Sequence, residues 1–156
     1  MLWLKLLLAC CVVLFSVALG YFAAEKFRNR ARFYTQLHDF NERYLNELGY
    51  ARKPLSSLLD GYAGNGDFQK TLRILAAEHK ISLKYSYLTD EEKKECANYL
   101  SMLGRSDAHT QREYFGGQRN ALSEKKSACA KVAKEKGELY LKLGLLAGLA
   151  FIILIV

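Results

Sequence analysis

The sequence predicts an all-α protein in which a helical bundle of about five to six helices lies between two transmembrane helices. Three observations lead there. Each end of the chain is apolar, apolar residues recur at helical spacing in between, and helix-capping signals punctuate a middle that holds the only proline, Pro54. The expected divisions are membrane helices at residues 2–24 and 139–156 and a soluble helical domain at residues 25–138.

Residues 6–24 supply 19 consecutive positions without a charge, close to the roughly 20 that a helix needs to cross about 30 Å of hydrocarbon. The other end, residues 143–156, holds 14 uncharged positions and by length alone could be a buried core helix. If Lys142 snorkels towards the headgroups, the apolar stretch reaches back to Leu139 and becomes 18 residues long, enough to span with little tilt. Small residues on both segments, Ser16, Gly20 and Ala24 on the first and Gly144 and Gly148 on the second, could each let a helix pack closely against a neighbour.

Charge then sets the expected orientation. Residues 25–142 hold 22 of the 23 Lys and Arg and all 16 Asp and Glu, a net +6, and only Lys5 lies outside. The cations crowd both junctions, with Lys26, Arg28, Arg30 and Arg32 after the first span and Lys131, Lys134, Lys136 and Lys142 before the second. The positive-inside rule makes both junctions cytoplasmic, and attraction to anionic lipid, about 1 kcal/mol per charge, accounts for the basic excess. No nucleic-acid-binding module accompanies it, so nucleic acid is not an expected partner. Signal cleavage near Ser16, Ala18 and Gly20 is a competing reading. It is disfavoured by a thin n-region and by an apolar run longer than the usual 7 to 15 residues. Leu7-Leu8-Ala9-Cys10 looks like a lipoprotein processing box, but the apolar run continues well past Cys10.

In the middle, Phe33, Leu37, Phe40, Tyr44 and Leu48 recur every three or four residues and mark one face of a long helix that leaves the membrane. Gly49 is its expected αL cap, and Pro54 opens a short helix through Leu55, Leu58 and Leu59. The stretch from Gly61 to Gly66 reads as a loop. Asp67 then caps a helix carrying Phe68, Leu72, Leu75 and Ala76. Residues 81–88 alternate like a strand, but a lone strand is unstable, so an extended connection or a continuation of the helix is expected. Thr89 and Glu92 form a capping box for a helix with Cys96, Tyr99, Leu100 and Leu103 on its apolar stripe, closed by Gly104. Ser106 and Asp107 cap a last helix that runs into the second apolar end along a seam of Ala108, Phe115, Leu122 and Cys129. Gly116 and Gly117 interrupt it at about 1 kcal/mol each and mark the place for a kink or break.

The residues offer little for catalysis. There is no phosphate-binding glycine loop, no nucleophile elbow and no metalloprotease motif. Asp90, Glu91, Glu92 and Glu95 read as a helix N-terminus complementing its dipole. The cysteines Cys10, Cys11, Cys96 and Cys129 lack ligand or disulfide spacing and read as small apolar residues, and His38, His79 and His109 as surface or boundary residues. No cofactor and no metal are expected.

Several of these segments carry a resemblance. Arg30-x-Arg32 before the Leu37–Leu48 helix, the Pro54-Leu55 turn, Leu103-Gly104-Arg105-Ser106-Asp107 with Gln111 four residues on, and Tyr140-Leu-Lys-Leu-Gly144-Leu-Leu-Ala-Gly148-Leu together resemble the stage III sporulation protein AB family of endospore-forming bacteria. The resemblance implies a non-enzymatic platform on the mother-cell side of the channel joining mother cell and forespore. It implies a two-pass protein of the mother-cell membrane around the forespore, with the soluble domain cytoplasmic. That domain is similar to the cytoplasmic domain of the type II secretion inner-membrane platform protein. The implied partners are the AA-type ATPase of the same apparatus and the other stage III channel membrane proteins, besides the lipid bilayer itself, with homo-oligomerisation left open. On the same resemblance, Arg30, Arg32, Pro54, Leu55, Gly104, Arg105, Ser106, Asp107 and Gln111 are candidates for partner contact or for a structural motif, while Gly20, Gly144 and Gly148 are candidates for membrane helix packing on their small-residue spacing alone. A general type II secretion or pilus platform is the alternative, followed by a cleaved, secreted helical binding domain.

Overall fold

The computed structural model of the chain describes residues 2–50, 55–62 and 66–155. Pro54 and residues 63–65 of the expected loop lie outside the described residues. The rest is all-helical, with no strand among the described residues. Its elements are α1 (Leu2–Tyr50), α2 (Leu55–Gly61), α3 (Asp67–Glu78), α4 (Asp90–Ser101) and α5 (Ala108–Ile155). The expected five to six helices between two separate membrane helices are thus five in all among these residues. The reason is that α1 and α5 contain no proline and each runs unbroken from an apolar end into the bundle.

Helix α1 ends at Tyr50, beside the expected Gly49, but Gly49 is helical and not an αL cap, Gly104 being the one glycine with positive φ among the described residues. Gly49 instead makes room for Arg112, whose Nη2 would lie 2.5 Å from a Cβ at that position. Helix α5 passes through Gly116 and Gly117. Phe115, with no exposure, and Leu122, at 6%, hold the helix on either side, and that burial outweighs the glycine penalty.

Among the described residues one helix is long and apolar enough to cross a membrane, the Leu7–Gly49 part of α1 near the N-terminus. Its apolar end leaves Leu14, Phe15, Leu19 and Phe22 exposed. A second membrane helix is not shown. The apolar run of α5 is shorter, and Lys136, Glu138 and Lys142 interrupt its approach.

The chain divides into two compact units, one of Met1–Asn29 with Cys129–Val156, the other of Arg30–Ala128. In the second, Phe33, Leu37, Phe40 and Tyr44 of α1 are buried as their spacing predicts, while Leu48 is half-buried. Aromatic edges join the elements. Phe33 and Phe40 meet Phe68 of α3 at 5.5 and 5.6 Å between ring centroids, and Tyr44 and Tyr99 meet Phe115 of α5 at 4.9 and 5.0 Å. Such pairs add about 0.5–1.5 kcal/mol each beyond area burial. On α5, Phe115, Leu122 and Cys129 are buried, but Ala108, at the open first turn, is exposed.

Residues 80–89 form a connection with neither helix nor strand, ending in a turn at 86–88 where the Leu88 amide donates to the Tyr85 carbonyl at 3.4 Å. Their alternation has a cause other than a sheet: Tyr85 and Tyr87 fall on one side and reach the start of α3. The Tyr85 hydroxyl donates to the Asp67 carbonyl at 2.6 Å and the Tyr87 hydroxyl to Asp67 Oδ2 at 2.7 Å. Asp67 is accordingly not the cap of α3. Gly66 holds that position, its N–H donating to Gln69 Oε1 at 3.2 Å, and Asp67 is the first helical residue.

Candidate functional site

The segment from Leu103 to Gln111 turns the chain from α4 into α5, and each residue type in it has a geometric cause. Gly104 has φ 71°, in the left-handed region that favours glycine, and a Cβ there would stand 2.9 Å from the Leu55 Cδ2 methyl. Leu55, at the start of α2, thereby packs onto the turn. Asp107 is the N-cap of α5. Its Oδ2 accepts from the His109 amide at 3.1 Å and more weakly from the Thr110 amide at 3.4 Å, and its Oδ1 accepts from the Thr110 hydroxyl at 2.7 Å. These donors hold the Asp107 carboxyl below its ordinary range.

Gln111 lies one turn into α5 and is 2% exposed. Its Nε2 donates to the Met102 carbonyl at 2.8 Å and to Ser106 Oγ at 3.4 Å, while its Oε1 accepts from the Gly104 amide at 3.3 Å and from the Tyr44 hydroxyl. One side-chain amide therefore ties the turn to α1. Of this motif only Arg105 has an exposed side chain with no partner among the described residues; its amide donates to the Met102 carbonyl at 3.3 Å.

The two arginines at the start of the second unit diverge. Arg30 forks onto Glu92 Oε1, through Nε at 3.1 Å and Nη2 at 2.6 Å. Glu92 also closes the capping box: its Oε2 accepts from the Thr89 amide at 2.9 Å, and its own N–H donates to Thr89 Oγ1 at 3.2 Å. Burial pushes the Glu92 carboxyl up, yet the Thr89 amide, Arg30 and Tyr34 outweigh it and hold it below the ordinary 4.5. Arg32, two residues on, is exposed, and its charge helps to lower the Asp67 carboxyl.

In the first unit the three glycines sit where backbones meet. A Cβ at Gly20 would be 2.5 Å from the Tyr140 carbonyl oxygen, one at Gly144 2.7 Å from the Ser16 carbonyl oxygen, and one at Gly148 3.2 Å from Val13 Cα. Positions 20, 16 and 13 of α1 thus pair with 140, 144 and 148 of α5, which is an antiparallel contact at backbone distance.

Sequence reasoning missed Asn41. It is fully buried, donates to the Phe115 carbonyl at 3.2 Å and accepts from the Tyr99 hydroxyl at 2.9 Å, joining α1, α4 and α5. The available signal was its place between Leu37 and Leu45, four residues from each on a buried face. Beside it, Leu37, Cys96, Tyr99, Tyr114 and Leu122 line a groove of about 400 Å³. Burial pushes the Cys96 thiol up to about 12, which makes it an apolar wall and not a nucleophile. Lys125 and Glu95 pair at the groove. No group of three or more His, Cys, Asp or Glu among the described residues could hold a metal ion.

No curated protein and no solved structure matches the chain. The sequence model of stage III sporulation protein AB matches residues 63–156, which takes in α3, the Gly104–Gln111 turn and all of α5. The chain therefore belongs to the stage III sporulation protein AB family and has its role in stage III of sporulation.

Proposed function

We propose that this protein is a two-pass component of the mother-cell membrane around the forespore. Its cytoplasmic helical unit serves, without catalysis of its own, as a platform on which the AA-type ATPase of the sporulation channel docks. The observation that carries the membrane part is the antiparallel glycine contact of the first unit. It sets the two apolar ends side by side, and the outward residues of both, Leu14, Phe15 and Leu19 on α1 and Leu145, Leu146 and Phe151 on α5, are exposed. An apolar surface of that extent on a helix pair needs lipid or protein around it. A helix packed along a membrane-crossing neighbour shares its depth, so the two form a hairpin with Arg30–Ala128 on the side of the basic junctions. The buried position of Gly20 against Tyr140 also favours retention of the first span over cleavage beside it.

The ATPase partnership rests on family membership. Within the candidate residues, Asp107, Gln111, Gly104 and Arg30 already have structural tasks, and Arg105 and Arg32 are the exposed cations left for a partner. Binding of the purified ATPase to the full chain in nanodiscs is the test. Arg105→Ala is expected to weaken binding several-fold with the melting temperature unchanged. Asp107→Asn should preserve both, since Asn caps a helix as well as Asp does. Absence of any binding by the wild-type chain would remove the platform reading.

A further inference from the structure

Below the level at which Gly20 meets Tyr140, the first unit holds an apolar notch between the two helices, lined by Val17, Leu141, Leu145 and Leu146, with Lys142 at its edge and a volume of about 440 Å³. Lys142 is exposed and has no ion-pair partner among the described residues. At about 1.5 Å of rise per residue its Cα sits about 3 Å beyond Tyr140 towards the apolar end. Tyr140 and the half-exposed Tyr21 are the kind of residues that mark a headgroup interface. An unpaired ammonium at that depth is expensive unless an anion reaches it.

The surroundings decide the sign and class of the ligand. Lys26, Arg28, Lys131, Lys134 and Lys136 outnumber Glu25, Glu135 and Glu138 in this unit, an excess of two positive charges besides Lys142 itself, on the side of the notch away from the apolar ends. Arg28 is folded back along α1, its guanidinium 3.8 Å from the Tyr21 ring centroid and its Nη2 donating to the Tyr21 carbonyl at 2.8 Å. A zwitterionic headgroup would bring its amine into this excess, whereas an anionic one would not.

We propose that this notch is a binding site for one anionic glycerophospholipid, such as phosphatidylglycerol, with an acyl chain along Val17, Leu141 and Leu145 and the phosphate on Lys142. This rests on the reading that both apolar ends cross the bilayer. The full chain is reconstituted in nanodiscs of mixed phosphatidylcholine and phosphatidylglycerol, and lipid retained by the released protein is read by native mass spectrometry. Resistance of each sample to alkaline extraction from vesicles, and labelling of a cysteine placed after Val156, are read in parallel.

Wild-type chain is expected to retain phosphatidylglycerol over phosphatidylcholine. Lys142→Gln, by removing one charge, should reduce that preference about fivefold. Leu145→Trp, by filling the notch, should reduce it while leaving the charge in place. Lys134→Gln, which takes one charge from the surrounding excess but none from the notch, should reduce it less than Lys142→Gln does. Equal losses for Lys134→Gln and Lys142→Gln, or no preference in an inserted wild-type chain, would overturn the lipid site and leave the two-pass reading standing. An end after Val156 that labels from the cytoplasm would overturn that reading and the site together.

Discussion

Glu92 shows how one side chain can do the work of two motifs. Thr89 and Glu92 are legible in the sequence as a capping box, because the three-residue spacing is all that the reciprocal bonds require. The Arg30 fork is not legible, since it joins residues 62 apart and depends on how α1 and α4 cross. Both interactions favour the ionised carboxylate, so the folded-state pKa lies below 4.5. The stabilisation is therefore complete above pH 4.5 and is lost as pH falls through the lower folded value. Melting temperature followed from neutral to acid pH should accordingly fall less steeply for Glu92→Gln than for wild type. The variant should also be the less stable of the two at neutral pH.

Gln111 and Asn41 teach the complementary lesson. Both are polar, both are buried, and neither spacing nor composition marks a polar residue as the one that will satisfy distant backbone groups. Asp107 is different. A short polar residue just before an apolar-periodic run is a local signal, and the cap it predicts is the cap observed. The Asp67 expectation used the same signal and placed the cap one residue late, because Gly66 takes the extended conformation and the Asp67 carboxylate is drawn to Tyr87.

At the scale of elements, helix identity was readable from period and caps, whereas helix continuity was not. Glycine lowers helix propensity locally, but Gly116 and Gly117 sit within a long helix fixed by Phe115 and Leu122, and a Cβ at either would meet open space. Replacing each by Ala should therefore raise the unfolding free energy by about 1 kcal/mol, measured by denaturant titration with an unchanged slope. If such a change instead abolished ATPase binding while stabilising the chain, these glycines would be a contact surface. In the first unit the opposite holds. Gly20→Leu and Gly144→Leu should lower the melting temperature of the full chain in detergent, since each side chain would collide with opposing backbone. Gly137→Leu, which meets open space, should not lower it.

For the whole molecule, the all-helical class and the family were within reach of the sequence because the apolar ends, the capping signals and the Gly104–Gln111 segment are each local. What sequence could not supply is the pairing of α1 with α5, which depends on contacts between residues more than a hundred positions apart, and the fusion of apolar ends with bundle helices. The central claim is that both apolar ends cross the bilayer and leave Arg30–Ala128 in the cytoplasm. It is tested most directly by labelling with a membrane-impermeant maleimide in intact vegetative cells. The background is a full chain lacking Cys10 and Cys11, with one new cysteine placed either at the exposed Lys84 or after Val156. The account predicts that the terminal cysteine labels in intact cells and that the one at position 84 labels only after lysis. Labelling at position 84 in intact cells would contradict it.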